Sequence, residues 1–347
     1  MSTQVIVVDW LGRGGIAQTA DAWARVLRAQ GAAVRLLTRT GRELSGPNVA
    51  GVREPRYGGA ALWHLHLVVH VVRRVLRGRP AAVILQNYHQ PLLELAVVAA
   101  ARLVRARVVI VVHNHEPHGR WFERGVGLRY LVGAADRVIC HSRFVADRLP
   151  VAGAQVIPHP KALSVLSSTA THAPVAKRPR CLQFGISRSY KGEELIERLA
   201  AMEPGWEFRQ IGAGVGRTTP LVSRRDEFLS PGELVGELHS ASVAIFPYRS
   251  ATQSGGVALA HALGVVPIAA AVGGIPEQIH DGEDGFLVPS EATVLDWLRV
   301  LRLVNDESLR CRLAQVGRQR AEREHVAFEN AVSAMMLDVA DLEARSS

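Results

Sequence analysis

Residues 247–276 read P-Y-R-S-A-T-Q-S-G-G-V-A-L-A-H-A-L-G-V-V-P-I-A-A-A-V-G-G-I-P. In chain order this predicts the end of a strand, a glycine turn at 253–256, a helix over 257–263 and a second strand over 266–270. The first turn of a helix leaves backbone N–H groups without intrahelical acceptors, and the helix dipole favours negative charge there. The turn Gln253, Ser254, Gly255 and Gly256 is therefore predicted to bind an anion such as a phosphate.

The same alternation of short apolar runs and helix-period segments continues in both directions. It predicts strands at 5–8, 34–38, 82–86, 108–112, 137–141, 156–158, 180–185, 207–212, 243–247 and 285–288. It predicts helices at 16–30, 60–76, 193–202, 231–239, 292–305, 307–323 and 327–342. Apolar strands that alternate with helices are typical of doubly wound parallel α/β sheets.

With 347 residues, the chain is longer than one ordinary hydrophobic core requires, and we expect two domains. We place a first Rossmann-like domain at 1–162 and a second at 180–325. Between them, 163–179 is rich in Ser, Thr, Ala and Pro and reads as a linker. The remaining segment, 326–347, is predicted to be mostly a helix.

Charge divides unevenly along the chain. Residues 1–160 carry 21 basic and 9 acidic side chains, whereas 161–347 carry 20 and 23, so the first half has a formal charge of +12 and the second −3, which together give the net +9. No apolar run reaches the length of a membrane span, and the first residues do not resemble a signal peptide. The three cysteines lack metal-ligand spacing and are expected to be reduced thiols. We therefore expect a cytoplasmic protein.

The turn at 253–256 is followed by V-G-G-I-P-E-Q-I at 272–279 and D-G-E-D-G-F-L-V-P at 281–289. Together these segments resemble the nucleotide-sugar half-site of retaining GT-B glycosyltransferases, the family 4 or group 1 set. Many members carry two glutamates across the turn and helix, at places where this chain has Ala251 and Leu259. The resemblance implies two Rossmann-like domains facing a cleft, with the last helix crossing back to the first domain.

The loop G-I-S-R-S-Y-K-G at 185–192 has the glycine-to-lysine spacing of this family. The resemblance implies that Lys191 contacts the donor diphosphate, with Arg188 as a second cation; the alternative for Lys191 is a surface lysine. Two cations and a helix start can balance a diphosphate leaving group, so no divalent metal is expected. Glu277 is either structural or close to the donor.

Two further segments carry candidate residues in the first domain. Gly14 and Gly15 lie in a loop between the first strand and helix, where the family places backbone close to the acceptor and donor phosphate; a tight turn is the alternative. His113 ends the fourth predicted strand and corresponds to a family histidine beside the reacting sugar. Glu116 and His118 follow it, and either bind acceptor or cap the next helix. The histidines have poor spacing for zinc, so no metal site is predicted.

The predicted function is transfer of a sugar from a nucleotide-diphosphate sugar to a hydroxyl acceptor, with retention and without metal. The expected donor is a UDP-sugar, no cofactor is expected, and the acceptor is a glycan, glycolipid or small molecule. The alternatives are a nucleotide-sugar epimerase or hydrolase, or a non-catalytic nucleotide-sugar-binding subunit. Nucleic acid is not an expected partner, since the basic residues lack interleaved aromatics.

Peripheral contact with the inner face of a membrane depends on residues 60–79. This segment has one apolar face and four arginines near its end, which are the ingredients of a surface-binding helix. The alternative is a buried helix whose basic C-terminus is favoured by the helix dipole.

Overall fold

The computed structural model describes residues 2–12, 14–39, 48–52, 60–87, 91–114, 121–160 and 178–344. The predicted linker lies almost wholly outside these residues, as do Glu116 and His118. The chain divides into two compact units: Met1–Pro160 together with His325–Ser347, and Lys161–Glu324.

The first unit is built on a parallel sheet whose strands are connected by helices. Its elements are β1 (Gln4–Asp9), α1 (Gly14–Ala29), β2 (Ala33–Arg39), β3 (Val49–Val52), α2 (Ala60–Gly78), β4 (Ala82–Asn87), α3 (Pro91–Leu103), β5 (Arg107–Val112), α4 (Trp121–Gly133), β6 (Arg137–Cys140), α5 (Arg143–Ala146) and β7 (Gln155–Val156). The seven strands lie in the order β3-β2-β1-β4-β5-β6-β7, and every pairing is parallel.

Both faces of this sheet are covered, which explains why its strands are continuous apolar runs. Successive residues of a strand point to opposite faces. Ile110 belongs to one buried cluster, with residues of α2, α3 and α4, and its neighbour Val111 belongs to another, with residues of α1. The second cluster also contains Phe328 of the C-terminal segment, whose ring meets Trp23 edge-on at 5.8 Å between centroids.

The second unit repeats the plan with six parallel strands. Its elements are β8 (Arg180–Phe184), α6 (Glu194–Met202), β9 (Glu207–Ile211), β10 (Val222–Arg225), α7 (Pro231–His239), β11 (Val243–Phe246), α8 (Gly255–Leu263), β12 (Val266–Ala270), β13 (Phe286–Val288), α9 (Val294–Leu303) and the start of α10 (Glu307–Ala344). The strand order is β10-β9-β8-β11-β12-β13. Two Rossmann-like parallel-sheet domains, the predicted fold class, are thus confirmed.

The C-terminal helix differs from the prediction of two helices, at 307–323 and 327–342. It is one helix, Glu307–Ala344, of 38 residues. The sequence from 318 to 344 contains neither glycine nor proline, so nothing in it interrupts the helical hydrogen bonds.

Helix α2 is apolar on two sides. Its core face consists of Leu67, Val68, Val71 and Val75, each at most 2% exposed. The predicted apolar face is a different one: Leu65, Val69 and Leu76 on it are 44%, 39% and 41% exposed. None of the described helices has the length and apolar content that a membrane span requires.

Candidate active site

The loop after β8 places Lys191 directly over the backbone of Gly185. Gly185 has a φ of +101°, and a Cβ there would lie 2.8 Å from Nζ of Lys191. Gly192, on the other side of the lysine, has a φ of +62°, and its Cβ would lie 2.1 Å from the carbonyl oxygen of Pro247. Only glycine fits both positions. The glycine-to-lysine spacing in the sequence therefore has a direct steric basis.

Lys191 is held in an environment that disfavours its own charge. Burial lowers the pKa of its ammonium to about 8, which the carboxylate of Glu193 partly offsets, and the charge of Arg188 adds to the lowering. An ammonium that lacks a full counter-charge is stabilised by an incoming anion. The loop is therefore prepared for a negatively charged ligand.

A buried chain of polar side chains fixes this loop from below. Gln183 donates from Nε2 to the carbonyl oxygen of Lys191 at 3.0 Å, and Gln210 donates to Oε1 of Gln183 at 2.7 Å. Arg224 in turn donates from Nε to Oε1 of Gln210 at 2.6 Å and from Nη2 to Glu197 at 2.7 Å. Three adjacent strands, β8, β9 and β10, thus hold the lysine backbone in place.

Helix α8 begins two residues before the predicted position, at Gly255, so the two glycines of the predicted turn are the first residues of the helix. Ser254 is the N-cap residue, and its Oγ accepts the Val257 N–H at 3.2 Å. The amides of Gly255 and Gly256, in the first turn, have no intrahelical acceptor. Gln278 clamps the turn: its Oε1 accepts the Ser254 N–H at 2.7 Å, and its Nε2 donates to the Ser254 carbonyl at 3.0 Å.

Tyr248 connects the lysine loop to this turn. Its ring lies 5.8 Å from Nζ of Lys191, and its hydroxyl shares a hydrogen bond with the side chain of Ser254. Burial raises the pKa of this tyrosine, so its hydroxyl stays protonated. Because β8 and β11 are neighbours in the sheet, the loops that follow them meet. The structure thereby brings Lys191 and the 253–256 turn together.

The glycines and glutamine of the turn have different surroundings. A Cβ on Gly256 would lie 2.8 Å from the Phe246 ring, so this glycine is required for packing of α8 on β11. Oε1 of Gln253 is buried and has no hydrogen-bond partner among the described residues. A buried acceptor without a donor is costly, so Gln253 is a further group that a ligand can satisfy.

Arg188 and Glu277 are more exposed than the other predicted donor-site residues of this unit. Both are exposed; Arg188 donates to the carbonyl oxygen of Ser187 at 3.3 Å. The carbonyl oxygen of Glu277 accepts from Nη2 of Arg320 at 2.6 Å, so its backbone contributes to the attachment of α10. At the two places of the family glutamates, Ala251 packs against the core and Leu259 is buried within it.

The loops after β9 and β10 complete this end of the second sheet. Gly212 has a φ of +137°, and its Cβ would lie 2.2 Å from the carbonyl oxygen of Gly185. The Gly214 N–H donates to Asp226 at 2.5 Å. The backbone of this loop is therefore positioned by glycine contacts and one carboxylate, next to the loop that carries Lys191.

In the first unit, Asp9 organises the loop that contains the predicted glycines. Its carboxylate, which is fully buried, accepts the N–H groups of Leu11 at 3.1 Å and Gly12 at 2.8 Å, and the Thr38 hydroxyl at 2.7 Å. Gly14 begins α1 with a φ of +69°, and among the described residues no atom beyond the adjoining backbone lies within 4 Å of a Cβ placed on Gly14 or Gly15. The loop is thus fixed by Asp9 and open beside its glycines.

His113 lies at the carboxyl end of this sheet together with residues that the sequence analysis did not select. Its Nε2 lies 2.8 Å from Oε1 of Gln86, the neighbouring residue on β4. The ring of His141, just after β6, is 5.7 Å from that of His113 and 5.2 Å from that of His159. These four residues, Gln86, His113, His141 and His159, lie at or just after the ends of neighbouring strands. The order of the strands in the sheet was therefore the signal that could have identified them as a group.

His113 and His141 are neutral near pH 7. Burial, with a contribution from His159, lowers the pKa of His113 to about 3 and that of His141 well below its usual value. His141 donates from Nδ1 to the Ile157 carbonyl at 3.2 Å, and its buried Nε2 has no hydrogen-bond partner in the described chain; the same holds for Nε2 of Gln86. Nε2 of His141 is thus available as a hydrogen-bond acceptor and Nε2 of Gln86 as a donor, and both residues contact His113; a hydroxyl ligand requires one group of each kind.

Among the described residues, no group of three or more His, Cys, Asp or Glu side chains is arranged to hold a metal ion.

Two family models match the sequence. The one described as Glycosyltransferase Family 4 matches residues 13–160, and the one described as Glycosyl transferases group 1 matches residues 192–306. The first match lies within the first unit and the second within the second unit. A search of curated proteins found no match.

Solved structures share the fold over the whole chain. Sucrose-phosphate synthase from Thermosynechococcus elongatus is 16% identical with a TM-score of 0.77, covering 99% of this chain and 100% of that chain. Anabaena HepE in complex with UDP-glucose is 14% identical with a TM-score of 0.73, covering 96% and 99%. WaaG, a glycosyltransferase involved in lipopolysaccharide biosynthesis, is 15% identical with a TM-score of 0.69, covering 95% and 99%.

At these identities the structural likeness establishes the fold, and the two family models establish the family. The chain is a glycosyltransferase that belongs to the family 4, or group 1, enzymes of the GT-B fold.

Proposed function

We propose that the protein transfers a sugar from a UDP-sugar to a hydroxyl acceptor, with retention of configuration and without a metal ion. The observation that carries the donor assignment is the meeting of Lys191 with the α8 turn through Tyr248. A cation with a depressed pKa and two first-turn amides form an oxyanion site for a diphosphate. The Anabaena HepE structure with UDP-glucose, which shares this fold, supports a UDP-sugar as the donor.

The charge balance of this site supports a leaving group without a metal ion. A departing nucleoside diphosphate gains negative charge, and the Lys191 ammonium, the Arg188 guanidinium and the α8 N-terminus are positive groups that oppose it. Arg188 is exposed and engaged at one carbonyl oxygen, so its guanidinium is available to turn towards a phosphate. Preorganised positive groups of this kind take the part that Mg²⁺ has in other transferases.

Retention follows from a reaction that occurs on one face of the sugar. The bond between the anomeric carbon and the diphosphate oxygen breaks, and a phosphate oxygen accepts the proton of the acceptor hydroxyl as the new glycosidic bond forms. No protein nucleophile is assigned. His113 orients the donor sugar as a neutral group, since its low pKa keeps it unprotonated.

Calorimetry tests the donor site. UDP, GDP and their sugar derivatives are titrated into the wild type and into Lys191→Ala, with and without EDTA. Tight UDP binding that survives EDTA and collapses in the variant supports the proposal, whereas binding that needs a divalent metal overturns metal independence. Product analysis by NMR then distinguishes a transferase from an epimerase or hydrolase, which changes the donor without an acceptor, and from a binding subunit, which leaves it intact.

The pathway is proposed as polysaccharide, glycolipid or natural-product biosynthesis at the inner face of a membrane. Helix α2 supports this, because Leu65, Val69 and Leu76 form an exposed apolar stripe beside the basic residues Arg73 and Arg77. An exposed apolar stripe flanked by cations binds anionic bilayers.

Liposome sedimentation tests the membrane contact. Vesicles that contain phosphatidylglycerol are expected to sediment the wild type at low salt, and Leu65→Ser/Val69→Ser to sediment less. Equal sedimentation of both proteins would place the contact elsewhere, and no sedimentation of the wild type would remove it.

A further inference from the structure

A cavity of about 690 Å³ lies at the edge of the first sheet opposite to the candidate active site. Its walls include Gln4 at the start of β1, Ala33 at the start of β2 and Asn48 just before β3. Parallel strands begin at one edge and end at the other, so the cavity is separated from Asp9, which ends β1, by the length of the strand. Its volume falls within the range of small-molecule sites.

Four arginines line this cavity. Arg28 comes from the last turn of α1, Arg35 from β2, and Arg74 and Arg77 from the last turns of α2. Among the described residues that line it there is no aspartate or glutamate. An adjoining cavity of about 420 Å³ shares three of these arginines and adds His70 and Arg73. Like charges that converge repel one another, so an anion is stabilised there.

Arg28 shows most directly what kind of anion fits. Its Nε and Nη2 are buried and have no hydrogen-bond partner among the described residues. These two N–H groups point along the same edge of the guanidinium, the edge that binds two oxygens of a phosphate in parallel. Leaving two buried donors unused is costly, and a bidentate oxyanion removes that cost. Burial lowers the pKa of the Arg28 guanidinium and the charge of Asp21 partly offsets this, but the hydrogen bond of the Asp21 carboxylate goes to Arg25, at 2.6 Å.

The helix dipole explains part of this arrangement but leaves the rest unexplained. Arginines in the last turns of α1 and α2 are favoured by the C-terminal carbonyls of those helices. Arg35, however, lies on a strand, and the dipole does not account for two buried and unused N–H groups on Arg28. Both observations are accounted for by a ligand.

We infer that this arginine cavity binds a phosphate-bearing anion with at least two charged phosphate oxygens, at a site separate from that of the donor. The phosphate belongs either to a free phosphorylated compound or to a lipid headgroup, since both present the same group to Arg28. Occupation of the cavity joins the ends of α1 and α2 to the start of the sheet.

Inorganic pyrophosphate is the probe for calorimetry at low salt. Every protein carries Lys191→Ala so that the donor site contributes little. Arg28→Gln/Arg35→Gln is expected to weaken pyrophosphate binding about tenfold or more, while Arg129→Gln, an exposed arginine of α4 outside the cavity, leaves it unchanged. Arg28→Lys keeps the positive charge but loses the two parallel N–H groups of the guanidinium. It is expected to bind pyrophosphate more weakly than the parent protein does.

Vesicles of phosphatidylcholine with and without phosphatidic acid identify the source of the phosphate. If retention by phosphatidic acid also depends on Arg28 and Arg35, the ligand is a headgroup; if only pyrophosphate binding depends on them, it is a free compound. Should the double variant, with an unchanged circular dichroism spectrum, keep both affinities, the cavity is not a phosphate site and the inference is wrong. If the double variant does not fold, Arg28→Lys takes its place: unchanged pyrophosphate affinity in Arg28→Lys would show that the inference is wrong.

Discussion

At the scale of single residues, Lys191 makes the donor site sensitive to pH. Its pKa of about 8 in the free protein means that the ammonium loses its proton as the pH rises through 8. A diphosphate binds the charged form, so UDP affinity is expected to fall above about pH 8 and to be level between about pH 7 and 8, where the terminal phosphate of UDP is ionised. Lys191→Arg stays charged throughout, and its affinity is expected to be level across the same range.

Lys191→Ala removes the ammonium altogether and shows how much this group contributes to UDP affinity. A hydrogen bond to a charged group contributes about 1.5–3 kcal/mol, which corresponds to roughly a 10- to 100-fold loss of UDP affinity in Lys191→Ala. Calorimetry at pH 7 measures it directly. If Lys191→Ala keeps the wild-type affinity, the lysine is a surface residue and the donor assignment is wrong.

Gly185→Ala tests the steric basis of the same site. The alanine adopts a φ of +101° with strain of about 1–3 kcal/mol, and its methyl meets Nζ of Lys191. The flexible end of the lysine moves away, so UDP affinity falls together with stability. Gly205→Ala is the matched control, because its Cβ meets nothing closer than 3.7 Å and its φ is ordinary. Equal UDP affinity in both variants would show that the lysine position does not matter.

Some residues of the site could be predicted and others could not, for a physical reason. Lys191 and Ser254 lie in local patterns, a strand followed by a glycine loop or by a helix, that the sequence displays directly. Gln86 and His141 join His113 through strand pairing, and Gln278 reaches Ser254 across 24 residues. Pairing of distant segments leaves no local signal, so these partners became visible only in three dimensions.

At the scale of elements, the anion-binding turn of α8 depends on the Gln278 clamp. Gln278→Ala removes both hydrogen bonds to the Ser254 backbone and is expected to destabilise the second unit by about 1–3 kcal/mol. UDP affinity is expected to fall several-fold because the turn is no longer held. Gln319→Ala, an exposed glutamine on α10, serves as control for both measurements. A loss of stability without a loss of affinity would make Gln278 purely structural.

The elements most easily predicted are those with continuous apolar runs, such as β5, because burial on both faces demands them. β3 and β10 were not predicted: each has only four residues and lies at the edge of its sheet, β3 is interrupted by a glycine, and three of the four residues of β10 are polar. The single helix α10 was divided in two because its apolar pattern changes near residue 325. The change corresponds to the residue at which α10 passes from the second unit to the first.

The carboxyl end of the first sheet is expected to make the protein sensitive to acid. Burial lowers the pKa of His64 to about 4 and that of His113 to about 3, so the unfolded chain binds protons more readily than the folded one between pH 6.5 and these values. Stability is therefore complete above about pH 6.5 and falls as the pH drops, by up to about 1.4 kcal/mol per pH unit for each histidine. Urea unfolding at pH 7, 6 and 5 measures the slope.

A histidine variant distinguishes protonation of His113 from other effects of acid on stability. His113→Asn removes one of the titrating groups, so its stability is expected to change less steeply with pH than that of the wild type. His239→Asn, at an exposed position at the end of α7 in the second unit, is the matched control. Identical slopes for all three proteins would contradict the assignment of His113.

At the scale of the whole molecule, α10 contributes to the interiors of both units. Within the second unit, Arg320 binds the fully buried Asp284 at 2.9 Å, and its neighbour Ala321 is buried. Within the first unit, Phe328, Val332 and Met335 are buried in the core beside α1. Asp284→Asn removes the buried partner of Arg320 but leaves its second ion pair, with Glu324 at 2.8 Å, so the loss of stability is expected to be smaller than the roughly 3–5 kcal/mol of a buried charge left without any partner.

Truncation after Glu324 tests how far the two units depend on this helix separately. The truncated chain keeps Arg320 and its partners but loses Phe328, whose ring fills the core against Trp23; removal of one such ring costs about 3–5 kcal/mol. Because several buried side chains are lost with Phe328, the first unit is expected to unfold or aggregate. The second unit, which holds Lys191 and the α8 turn, is expected to stay folded.

Hydrogen exchange with mass spectrometry measures this difference. We expect fast exchange in β1 and β5 and continued protection in β8 and β11, with UDP still bound and transfer abolished. Phe328→Ala in the full-length chain is expected to show a milder form of the same pattern, and equal protection of both sheets after truncation would mean that the first unit is stable without the helix.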